Sequence, residues 1–129
     1  MRERERTPPE RGRIVRIPGV MLLAERTARK IRIEDPHGGP PTEIVLVRFD
    51  GRLHALDTLC PHEGGRFAEG PLWDDRYVIC PLHLYKFDPR DGHAIEVECA
   101  SARTYPTREV DGVAEVWIPE GAGEAESEG

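Results

Sequence analysis

Much is missing from this chain, and each absence narrows what it can be. Its 129 residues contain only three cysteines. If two of them serve as ligands, one thiol is left over and no intrachain disulfide framework can form, as expected in a reducing compartment. There is no net positive charge: the formal charge is -6 and the isoelectric point about 5.4. That balance disfavours nucleic acid and anionic membrane surfaces as partners. No apolar run approaches the length of a membrane span, and the Arg-bearing N-terminus has no hydrophobic signal core. The expected location is therefore the cytoplasm. There is also no internal repeat, no helix of convincing length, no Gly-rich phosphate loop and no Ser/His/Asp constellation. A chain of this length is one domain by expectation, able to bury roughly two-thirds of its unfolded surface.

What is present concentrates between Cys60 and His83. Cys60-Pro61-His62 opens the stretch, seventeen residues follow, and Cys80-Pro81-Leu82-His83 closes it. Two thiols and two imidazoles can hold a transition metal, either zinc or an iron–sulfur cluster. Structural zinc sites usually open with two closely spaced thiolates from one hairpin. Here each half supplies one Cys and one His. Two such loops suit a two-iron cluster, with Cys60 and Cys80 on one iron and His62 and His83 on the other.

The flanking residues carry a resemblance. Cys60-Pro61-His62-Glu63-Gly64-Gly65 is similar to the first cluster loop of the Rieske [2Fe–2S] family. Cys80 through Asp88, with Gly92 following, resembles the second. The resemblance implies antiparallel sheets with one cluster at a tip. It implies a one-electron carrier of the Rieske-type ferredoxin kind, between a flavin-dependent reductase and an oxygenase. The alternatives are an electron-transfer subunit of an assimilatory nitrite reductase and a cluster-based redox sensor. No catalytic residue is expected in the chain itself. Respiratory members of the family add a disulfide between the loops, but Gly65 and Leu82 occupy the matching positions. They also place hydroxyls where this chain has Tyr85 and Phe87. Hydrogen bonds to sulfur favour the reduced cluster, so their loss points to the low end of the roughly −150 to +300 mV Rieske range. Leu84 stands where a Gly commonly follows the second His.

Along the chain, residues 1–13 alternate Arg and Glu, break at Pro8-Pro9 and read as a mobile arm. Ile14–Ile17, Ala28–Ile33, Glu43–Phe49 and Arg52–Leu56 read as strands, the last two joined by a hairpin turn at Asp50-Gly51. Met21–Ala24 reads as a core contact and Asp35–Pro41 as a loop. Arg66–Ala68, Arg76–Ile79, Tyr85–Phe87 and Ala94–Val97 are shorter strand candidates. Tyr105–Val110 and Val113–Ile118 form a final hairpin. The tail from 119 to 129 is acidic and reads as disordered. The expected architecture is an all-β antiparallel sandwich or barrel over 14–118, with a cluster-binding subdomain inserted at about 57–92. Cys99 is expected to be a buried or half-buried free thiol. His37, His54 and His93 are not counted as ligands.

Overall fold

A computed structural model of the chain describes residues 12–61, 65–82 and 84–119. Among these residues the fold is all-β apart from one short 3-10 turn at Val20–Leu22. Eleven strands run in chain order: β1 Gly12–Pro18, β2 Thr27–Ile33, β3 Thr42–Phe49, β4 Arg52–Asp57, β5 Gly70–Pro71, β6 Val78–Cys80, β7 Tyr85–Phe87, β8 Ala94–Ile95, β9 Thr104–Tyr105, β10 Thr107–Val110 and β11 Val113–Pro119. They make three antiparallel sheets, ordered β1-β11-β10, β5-β2-β3-β4-β9 and β6-β7-β8.

The middle sheet explains the stacking. In β3 the run Ile44-Val45-Leu46-Val47 is no more than 1% exposed, although successive strand residues point to opposite faces. Both faces must therefore be covered. Ile44 and Leu46 pack with Leu53, Ala55 and Tyr105 against Ala114, Val116 and Ile118 of β11, forming a first core. Val45, Val47 and Leu56 pack on the other side against Val78, Cys80 and Phe87 of the small sheet, forming a second. The residues carrying Cys60 and Cys80 enter after β4, and β9 returns to pair with β4 through Ala55 and Tyr105. The cluster-loop segment is thus an insertion into one sheet, as the sequence predicts.

The β3–β4 hairpin turns where expected, with Asp50 at φ 55° and Gly51 at φ 78°. Two positive φ values in succession are the twist-matched hairpin turn that Asp-Gly favours. Arg48 ties the layers together. Its guanidinium donates to both carboxylate oxygens of Glu109, at 2.9 and 3.0 Å, and to the carbonyls of Leu23 and Val20.

Several expectations need correction. β1 starts at Gly12, inside the span read as the arm, while residues 1–11 lie outside the described residues. β11 includes Pro119, and the remaining tail also lies outside them. Met21 and Leu22 are 66% and 81% exposed, and only Leu23 of that run reaches the core, beside the preceding Val20. Arg66–Ala68 is no strand: Arg66 makes an isolated bridge to Leu59. The strand read over Tyr105–Val110 splits at Pro106. Thr104–Tyr105 belong to the middle sheet and Thr107–Val110 to the outer one. Proline has no N–H to donate, so the chain changes partners there.

Candidate metal centre

The first loop is anchored residue by residue. Asp57 Oδ1 accepts the Leu59 N–H at 3.1 Å, bending the chain as it leaves β4. The other Asp57 oxygen accepts the Tyr105 hydroxyl at 3.4 Å in a buried contact. The Thr58 N–H donates to the Glu43 carbonyl at 3.2 Å, and the Thr58 carbonyl accepts from Phe67 N–H at 2.8 Å. The Cys60 N–H then donates across the loop to the Gly65 carbonyl at 2.6 Å. Cys60 is 1% exposed.

The second loop hangs from the β6–β7 pair. Cys80 lies opposite Tyr85 in the register and is fully buried. Leu84 takes φ 59°. This left-handed conformation is the physical reason a glycine suits the position, because a Cβ there costs on the order of 1 kcal/mol or more. Phe87 is fully buried, with its ring edge-on to Phe67 at 5.2 Å between centroids. Asp88 closes the far end. Its carboxylate takes a two-pronged hydrogen bond from Arg90, at 3.0 and 2.7 Å, and this lowers the pKa of the acid from its ordinary value. Arg90 also lies over the Phe49 ring at 5.1 Å. His93 faces Asp91 at 2.6 Å, beside this far-end turn.

Cys60 and Cys80 therefore reach one core from two separate loops, and neither is in a disulfide. Beside them stands Gly65, where a Cβ would lie 2.6 Å from Cys80 Sγ. The missing side chain leaves room against the thiol. Two buried soft donors with clear space at the sulfur fit a thiolate-ligated iron–sulfur centre. His62 and His83, the other two expected ligands, lie outside the described residues. Cys99 packs against the same core from its margin as a free thiol. Leu82 and Leu84 are 53% and 57% exposed, so neither serves as core packing.

The Rieske [2Fe-2S] domain family matches residues 21–111, which include both loops and strands β2 to β10. The chain belongs to the Rieske [2Fe-2S] domain family. A Rieske domain carries one [2Fe–2S] cluster per chain, and the burial of Cys60 and Cys80 is consistent with that content. The chain is 33% identical over 66 residues to the ferredoxin component of the alkene monooxygenase system of Xanthobacter autotrophicus, covering 51% of this chain and 54% of that one. It is 37% identical over 71 residues to the 3-phenylpropionate/cinnamic acid dioxygenase ferredoxin subunit of Photorhabdus laumondii, covering 54% and 68%. The matched stretch thus spans about half to two-thirds of these relatives. Among solved structures, the ferredoxin of carbazole 1,9a-dioxygenase from Nocardioides aromaticivorans superposes with a TM-score of 0.63 at 25% identity, over 84% of this chain and 99% of that one. A Mycobacterium tuberculosis chain described as an NADH-dependent nitrite reductase small subunit shares the fold, with a TM-score of 0.60 at 20% identity, over 84% and 97%.

Asp57, Tyr105, Asp88 and Arg90 were not singled out by sequence as shaping the loops. The signal for the first was available: an Asp three residues before the loop cysteine can accept the N–H two residues on. The Asp57–Tyr105 contact joins residues 48 apart and leaves no local trace.

Proposed function

We propose that this Rieske protein is a one-electron carrier of an oxygenase system, with Cys60, His62, Cys80 and His83 as the cluster ligands. The observation that carries it is the pair of unbridged, buried thiols brought into one core by two loops of mixed Cys/His pattern. When bound, the cluster supplies reversible one-electron transfer, and its two imidazole ligands set its potential above that of all-thiolate plant-type clusters. The chain's own residues do the rest. Cys60 and Cys80 offer thiolates from a site closed to water by Phe67, Phe87 and Val78. Asp57, Thr58 and Gly65 fix the first loop through backbone contacts, so the ligand cage changes little between oxidation states. Pro81, Leu82 and Leu84 form an exposed apolar rim next to the second ligand pair. Small apolar rims suit brief docking, since transient redox interfaces are small.

The named relatives support an oxygenase as acceptor, and a flavin-dependent reductase is the matching donor class. The cytoplasm is the proposed location. No helix among the described residues is long and apolar enough to cross a membrane. The test is reconstitution with a reductase and a terminal oxygenase, followed by stopped-flow absorbance. Leu84→Glu should slow transfer to the oxygenase while spectrum and midpoint potential stay at wild type. An unchanged rate with an intact cluster would place the docking face elsewhere.

A further inference from the structure

Thr58 is fully buried, and its Oγ1 has no hydrogen-bond partner. It is the one such side-chain atom among the described residues. A buried hydroxyl left unpaired costs about 1–3 kcal/mol, and native proteins rarely keep one without a use. Its backbone is held in place, with its N–H donating to the Glu43 carbonyl and its carbonyl accepting from the Phe67 N–H. Its position is informative. Leu56 and Cys60, two residues to either side, both belong to the second core, whereas Leu53 and Ala55 belong to the first. The alternation places Thr58 on the cluster side of the chain, two residues before a proposed ligand.

We propose that the Thr58 hydroxyl is a hydrogen-bond donor to a sulfur of the cluster and raises its midpoint potential. The inference rests on the cluster reading above. It partly replaces the sulfur-directed hydroxyls that respiratory members carry at the positions of Tyr85 and Phe87, from an element the family motif does not include. A donor aimed at sulfur stabilises the added negative charge of the reduced form, so it favours reduction. No acceptor for it exists among the described protein atoms, which is what a donor reserved for a bound group requires.

Thr58→Val keeps the shape and removes the hydroxyl, while Thr58→Ser keeps the hydroxyl. Midpoint potentials of the holoproteins are read by spectroelectrochemical titration, with iron and sulfide counted in each. The expected result is a lower midpoint for Thr58→Val and a wild-type midpoint for Thr58→Ser, with equal cluster content. Resonance Raman spectra should show iron–sulfur modes that shift in D2O more in wild type and Thr58→Ser than in Thr58→Val. A fully loaded Thr58→Val with wild-type midpoint would overturn the inference and assign the hydroxyl to a buried water. If Thr58→Val does not load, Thr58→Ala, which adds no bulk, takes its place under the same criteria. Failure of both to bind iron while folded by circular dichroism would overturn tuning in favour of a structural role. Wild-type protein without a [2Fe–2S] cluster would instead refute the earlier reading.

Discussion

Phe67→Ala removes the side chain that joins the two cluster loops. Phe67 is fully buried, its ring meets Phe87 edge-on, and its N–H donates to Thr58 at the base of the first loop. The next residue, Ala68, donates its N–H to Ile79 at the base of the second. Truncating a buried Phe to Ala costs about 3–5 kcal/mol, from lost transfer energy plus the cavity left behind. The aromatic pair accounts for about 0.5–1.5 kcal/mol of that. The backbone bonds on either side hold the walls of the cavity apart, so little collapse can recover the loss and the upper half of the range applies. Against a typical domain stability of about 5–15 kcal/mol this is a large fraction. With a urea dependence of about 2 kcal/mol per molar, the unfolding midpoint should drop by roughly 2 M. Far-UV circular dichroism against urea reads the midpoint, and visible absorbance reads cluster loss in the same samples. The variant should bleach earlier than wild type. A midpoint within about 0.5 M of wild type, equivalent to about 1 kcal/mol, would refute the view that the loops are held by one packed core.

Cys60→Ser or Cys80→Ser should abolish cluster assembly, whereas Cys99→Ser should leave the visible spectrum intact; bleaching by Cys99→Ser would overturn the ligand assignment. His54 is half-buried, and burial is the main cause holding its pKa below the ordinary imidazole value, with Arg90 and Arg52 adding to the shift and Asp88 and Asp50 opposing it. The unfolded chain therefore takes up the proton first as pH falls. The His54 contribution is fully present above the unfolded value and is lost as pH drops toward the folded one. Denaturant midpoints should thus fall as the pH drops below the ordinary imidazole range, and His54→Gln should flatten that slope; an unaltered slope would show that other groups carry it.

The elements the sequence revealed are those where one local signal dominates. β2, β3 and β4 are β-branched runs, and Asp50-Gly51 has no better use than a two-residue hairpin turn. The cluster loops were legible because ligand chemistry demands particular residue types at fixed spacing. Met21 and Leu22 misled because apolar residues next to a buried Leu23 look the same in sequence whether they face in or out. The two-residue strand β5 owes its existence to pairing with Thr27 and Ala28, more than forty positions earlier, and has no local pattern of its own. Pro106 was visible, but which sheet each flanking segment would join depends on β4 and β11. Thr58 lies beyond sequence reasoning for the same reason: an orphaned hydroxyl is defined by everything that does not touch it.

The central claim is that two thiolates and two imidazoles hold a two-iron cluster. Its most direct test is iron, acid-labile sulfide and zinc analysis of protein purified without reductant, alongside the visible spectrum. The account predicts a red-brown protein with two irons and two sulfides per chain. A colourless protein with one tightly bound zinc and no sulfide would contradict it.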